Sequence, residues 1–208
     1  CRRLTMPSPP ALLYDTHYHI YNRGTNREQL FREERNYQYF LKSYLKHIEP
    51  VAETFAYCLL RNHFHILVRV KSEAEIREIT PVPSGKPARA PSQKFADFFN
   101  AYAKAINRAY RRTGSLFQHP FGRVPVTSDR QFGSVIAYIH QNPRKHKFVD
   151  DFRDWKWSSY GSLLSEQPTH LKRATVLDWF GGLQNYVQMH SQWITEAESR
   201  WFAADDDD

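Results

Sequence analysis

Polar and apolar positions alternate through residues 15–22 (DTHYHIYN) and stop at Arg23-Gly24, the pattern of a half-buried strand closed by a turn. From Glu33 to Ile48 the apolar set Tyr37, Phe40, Leu41, Tyr44, Leu45 and Ile48 recurs every three or four residues, which predicts an amphipathic helix ending before Pro50. Residues 51–60 and 63–70 read as two strands joined at Arg61-Asn62, a hairpin. The next stretch, 80–92 (TPVPSGKPARAPS), carries four prolines and little that packs, so a mobile loop is expected. Helical spacing resumes over Gln93–Arg112, with Phe95, Phe98, Phe99, Tyr102 and Ile106 on one side. A fourth strand fits within 115–128, interrupted by Pro120 and Pro125. Ser128 or Asp129 caps a last clear helix, with its stripe at Phe132, Val135, Ile136 and Ile139, and Pro143 predicts its end near Gln141. A weaker helical pattern runs from Thr175 to about Phe202.

This order of elements predicts an α+β fold, a ferredoxin-like antiparallel sheet with helices packed on one face, plus a C-terminal helical extension. The expected organisation is a flexible segment over 1–13, a catalytic domain over 14–161 containing the mobile 80–92 loop, and an extension over 162–208 ending in an acidic tail.

Composition narrows the class. Of 208 residues, 41% are hydrophobic and 15% aromatic, ample for a core without metal or disulfide staples. Cys1 and Cys58 are the only cysteines, which excludes a disulfide framework and a cysteine zinc site. A net charge of +7 and a pI near 9.4 favour a polyanionic partner. Neither a signal peptide nor an apolar run of the roughly 20 residues that span a bilayer is visible, so no membrane partner and a cytoplasmic location are expected.

The candidate chemistry lies in two segments. His63-Phe64-His65 opens a predicted strand, so both imidazoles project from one face while Phe64 turns into the core. Two neutral imidazoles so placed can grip a divalent cation. The same form recurs at His17-Tyr18-His19, which reads as sheet residues near the site. On the last helix Tyr138 and Asn142 are one turn apart, about 40° round the axis, where both reach a site beside the sheet. Asn142 is the better candidate for an oxygen ligand; Gln141 points further away.

LRNHFHILV (60–68) together with YIHQNP (138–143) resembles the single-tyrosine HUH transposases of the insertion-sequence and REP-associated type. HYHIYNRG (17–24), RRTGSLFQ (111–118) and WSSY (157–160) are also similar to that family, and the likeness covers roughly 14–161. The resemblance implies Mg²⁺ or Mn²⁺ held by His63, His65 and Asn142, with Tyr138 as the nucleophile that forms a 5′-phosphotyrosine on single-stranded or hairpin DNA. It also implies either a homodimer or a monomer. Arg23, Arg27, Lys104, Arg108, Arg111, Arg112, Arg123, Arg144 and Lys145 would suit phosphate contacts. Two other readings fit the same fold: a non-catalytic single-strand nucleic-acid binding module, and a zinc hydrolase using water.

Overall fold

The computed structural model describes residues 11–81 and 89–192. Most of the 1–13 segment expected to be flexible, the middle of the Pro-rich loop, the end of the helix expected to reach Phe202, and the acidic tail lie outside the described residues.

Four strands form one antiparallel sheet: β1 (His17–Arg23), β2 (Ala52–Leu59), β3 (His63–Val70) and β4 (Gly122–Val126), in the order β2-β3-β1-β4. With α1 (Glu34–Ile48) between β1 and β2, and α3 (Pro91–Ala109) between β3 and β4, this is the ferredoxin-like arrangement. The expected α+β fold is what forms. The hairpin turn is Arg61-Asn62 as predicted, closed by Leu60 N–H donating to His63 O at 2.8 Å. β4 tolerates Pro125 because β4 is an edge strand and needs no donor on its outer side.

Alternation along β3 divides the core in two. Phe64, Ile66, Val68 and Val70 join Ile20, Phe40, Tyr44, Phe98 and Tyr102 under α1 and α3. Leu67 faces the other way, into a second cluster built by α4 (Asp129–Lys145) through Val135, Ile136 and Ile139. A second helical layer thus covers the opposite face, in addition to the one the sequence pattern suggests. The C-terminal extension completes that layer: Val176 of α6 (Arg173–Phe180) and Tyr186 of α7 (Leu183–Ser191) are fully buried in the same cluster as α4. Burial of such side chains contributes about 1.5–3 kcal/mol each, so residues 162–192 share the domain's core.

Two short helices escaped the sequence reading, α2 (Glu73–Ile79) and α5 (Tyr160–Leu164). α2 was nonetheless signalled by Ser72 and Glu75, a reciprocal capping box with Glu75 N–H on Ser72 Oγ at 3.2 Å and Ser72 N–H on Glu75 Oε2 at 2.7 Å.

The end of α4 requires a correction. Pro143 was expected to stop the helix near Gln141, yet the helix runs through it to Lys145. Pro143 lies in the last turn, where its missing N–H forfeits a single bond, and the carbonyls beyond it are satisfied by a Schellman closure. Lys147, at φ 57°, donates to Arg144 O at 3.0 Å, and Phe148 N–H reaches Pro143 O at 2.8 Å. The extra turn carries His146 onto the sheet face.

α4 is also held from behind. A Cβ on Gly133 would lie 2.0 Å from Trp179 Cη2 and 2.2 Å from Cζ3, so the α6 indole sits against bare helix backbone. Gly133→Ala is expected to displace the indole and destabilise the protein by about 1–3 kcal/mol, despite alanine's better helix propensity. Thermal unfolding checks this; an unchanged or raised Tm would mean that α6 is not seated on α4.

Candidate active site on the histidine face of the sheet

Pairing register decides which side chains meet. β1 presents His17, His19, Tyr21 and Arg23 to the α4 side, opposite Arg69, Leu67, His65 and His63 of β3. The two His-X-His segments, separate in sequence, therefore share one face. His19 Nε2 and His65 Nδ1 are 3.0 Å apart, with their rings stacked at 5.1 Å. His17 lies at the far end of the strand, its ring packed on Phe55 at 5.1 Å and Phe132 at 5.4 Å. The two rings thus point to different neighbours, His19 to the β3 histidines and His17 to the Phe55–Phe132 pair.

From α4, Tyr138 meets this face edge-on, 5.5 Å from the His65 ring and 5.8 Å from the His19 ring. Two turns later His146 meets His63 at 4.6 Å. Asn142 lies between these two on the same helical flank, fully buried, its Nδ2 donating to Tyr138 O at 2.8 Å. The row Tyr138, Asn142, His146 thus spans the two histidines of β3. Lys145 Nζ lies 5.1 Å from the centre of the Tyr138 ring. The Tyr21 ring spreads over β4, where a Cβ on Gly122 would come within 2.0 Å of it.

The donor set suits a divalent cation. His63 Nδ1 is 2.8 Å from Asn62 Oδ1, an acceptor, so Nδ1 carries the proton and Nε2 keeps its lone pair. His63 Nε2 and Asn142 Oδ1 are both buried without a hydrogen-bond partner, an arrangement costly to leave uncompensated. A His65 that offers Nε2 carries its proton on Nδ1 and donates it to His19 Nε2. Among the described residues no group of three or more His, Cys, Asp and Glu is arranged to hold a metal. The oxygen beside the two imidazoles, Asn142 Oδ1, belongs to a carboxamide, outside those four residue types.

Burial keeps these imidazoles uncharged. It holds His63 and His65 well below the ordinary histidine range, and the neighbouring charges of His146, Arg23 and Lys145 push His63 the same way. His19 is pushed down to about 3 by burial alone. On the far side of α4, burial also holds His140 well below its ordinary value and His190 at about 4. These groups bind protons less readily folded than unfolded. Their contribution is complete above about pH 6.5 and is lost as pH falls toward the folded values. At pH 5 the loss is about 2 kcal/mol for each fully buried imidazole that stays neutral. The Tm should therefore drop steeply between pH 7.5 and 5; a flat profile over that range would contradict neutral burial.

The basic residues divide. Arg23 pairs in register with His63 and Lys145 covers Tyr138, so both flank the site. Arg27 follows β1 in a tight exposed turn at the same end of the sheet. Arg112 is half-buried and committed to Glu28 and to Asn107 Oδ1 at 2.6 Å, a tie between the end of α3 and the turn after β1. Arg123, in register with Ile20, belongs to the opposite face, its guanidinium 4.0 Å from the Phe121 ring centre. Arg108 and Arg111 are exposed at the end of α3, and Lys104 and Arg144 are exposed as well.

Sequence reasoning did not assign Asn62, His146 or the contact of His19 with His65. Their signals are a turn residue beside His63, a position two helical turns after Tyr138 hidden by the stop placed at Pro143, and an alternation whose register a sequence does not reveal.

Comparison with known proteins follows the same residues. The family described as "Transposase IS200 like" matches residues 12–142. A Haemophilus influenzae protein named as a REP-associated tyrosine transposase is 27% identical over 108 residues, which are 52% of this chain and 58% of that protein. The chain thus spans little more than half of that relative's length. The solved structure of a REP-associated tyrosine transposase bound to a REP hairpin superposes with a TM-score of 0.58 at 18% identity, over 79% of this chain and 89% of that one. That likeness is one of fold. No described helix is long and apolar enough to cross a membrane.

Proposed function

Because this chain belongs to the IS200-like transposase family, matched over residues 12–142, we propose that it nicks and rejoins single-stranded or hairpin DNA through a covalent bond to Tyr138. The observation that carries the reading is the edge-on approach of Tyr138 to His65 at 5.5 Å, on a helix whose next turn brings a buried, unsatisfied Asn142 Oδ1 to the same face. Hairpin DNA is the partner named for the solved relative, and a basic chain suits it.

His63 Nε2, His65 Nε2 and Asn142 Oδ1 would hold Mg²⁺ or Mn²⁺. When bound, such an ion offsets charge on the scissile phosphate. Tyr138 Oη attacks phosphorus, the bond to the 3′ oxygen breaks, and the products are a 5′-phosphotyrosine and a free 3′-hydroxyl. Attack by a second 3′-hydroxyl reverses the step and joins new strands without ATP. Arg23 and Lys145 hold the flanking phosphates, and the Lys145 ammonium stands beside the phenolate as it forms. Arg27, Arg108 and Arg111 extend the phosphate track along the exposed end of the sheet. Tyr138 is 2% exposed, so side chains over the site, Lys145 among them, shift before the strand reaches its hydroxyl.

Labelling tests the polarity. With Mn²⁺ and hairpin DNA, label on the 3′ side of the nick should stay with the protein through SDS, while label on the 5′ side is released. Turnover with neither label retained would favour a hydrolase in which water is the nucleophile.

A further inference from the structure

Tyr138 faces the sheet, and His140, two residues on and about 200° round the helix, faces away from it. His140 is nevertheless completely buried, and its partners come from outside the family-matched region. His140 Nδ1 is 2.8 Å from His190 Nε2, and His140 Nε2 is 2.7 Å from Ser159 Oγ. His190 Nδ1 is 2.7 Å from Tyr186 O, and Tyr57 N–H donates to Ser159 Oγ at 2.8 Å.

The two ends fix every proton between them. Tyr186 O only accepts, so His190 Nδ1 donates and His190 Nε2 accepts from His140 Nδ1. His140 Nε2 then accepts from the Ser159 hydroxyl, whose oxygen accepts from Tyr57 N–H. The result is one chain of bonds running from β2 through Ser159, His140 and His190 to α7, with no alternative tautomer and no charge. Its anchor on the sheet is firm: residues 157–159 pair along the free edge of β2, with Leu59 N–H on Trp157 O at 2.9 Å and Ser159 N–H on Tyr57 O at 2.9 Å. The WSSY segment thus closes a sheet edge and supplies the serine.

Apolar contacts, the Trp179 indole on Gly133 included, are non-directional and leave small rotations of a helix open; a buried directional bond on its back closes them. We propose that the Ser159–His140–His190 chain is a positioning device that sets the rotation of α4 and so aims Tyr138 at the scissile phosphate. This rests on the nuclease reading above. His190 and Ser159 are bonded to His140, on the side of α4 turned from Tyr138, and act through His140 and the helix.

His190→Leu tests it with two readouts. Amide hydrogen exchange over residues 136–142 should accelerate at least tenfold while β1 and β3 stay protected. Single-turnover cleavage should fall about 10- to 100-fold with hairpin affinity within twofold, because misplacing a reacting group by about 1 Å costs that much. His190→Gln, which puts an acceptor where Nε2 stood, should recover most of the rate. Unchanged exchange in α4, or cleavage at the wild-type rate, overturns the proposal. So does a loss of protection spread evenly over the sheet with binding and cleavage falling together, the mark of a general folding role. If the leucine variant does not fold, His190→Gln against His190→Asn decides, since asparagine reproduces only the Nδ1 donor; equal cleavage by the two overturns it. A wild-type protein that forms no adduct would sink the nuclease reading, and exchange in α4 would still decide the chain's role.

Discussion

Tyr138→Phe is expected to abolish the covalent protein–DNA adduct and to lower strand cleavage by about 10³-fold or more, while hairpin affinity stays within twofold. Phenylalanine keeps the ring contacts with His19, His65 and Lys145, so the helix should stay seated and only the nucleophile is lost. Denaturing gels of labelled hairpin incubated with Mn²⁺ read the adduct directly. The site contains one rival. Tyr21 lies on the same face, its ring 6.2 Å from that of His65. An adduct that persists in Tyr138→Phe and disappears in Tyr21→Phe would transfer the role.

Loss of the cation should rank second. His63→Ala and His65→Ala are each expected to weaken Mn²⁺ binding by at least about tenfold and cleavage by about 10²–10⁴-fold, and EDTA should reproduce the effect on the wild type. His19→Ala should act more weakly, about 10-fold, the cost expected for a group 3.0 Å from His65 Nδ1 that acts through its neighbour. Titration calorimetry with Mn²⁺ separates ligands from orienting residues without any DNA. Undiminished Mn²⁺ binding by both alanine variants would rule out the β3 histidines as its ligands.

Much of the fold, and of which side chains share the site's face, was legible in the sequence because it depends on local rules. The alternation of His63-Phe64-His65 fixes two imidazoles on one face whatever the sheet around them, and helical spacing fixes Tyr138 and Asn142 on one flank. The hairpin at Arg61-Asn62 and the stripes of α1 and α3 follow for the same reason. Long-range choices were not legible. Whether HYH and HFH would be neighbours depends on β1 pairing with β3 in the register that sets Tyr21 against His65. The stop expected at Pro143 failed because a proline in the last turn costs one hydrogen bond, and the Schellman closure at Lys147 and Phe148 holds the helix end beyond it. The role of residues 173–191 was hidden for a different cause. α6 has only a weak amphipathic pattern, and its seat on α4 depends on Gly133, a single residue that looks like a helix weakness and is a contact.

The most direct test of the central claim is peptide mapping of the adduct by mass spectrometry after the protein has reacted with a short hairpin and Mn²⁺ and the DNA has been digested. The account predicts a nucleotide joined through its 5′-phosphate to the peptide containing Tyr138, absent when EDTA is present. A nucleotide on any other residue, or cleaved DNA with no nucleotide on the protein, would contradict it.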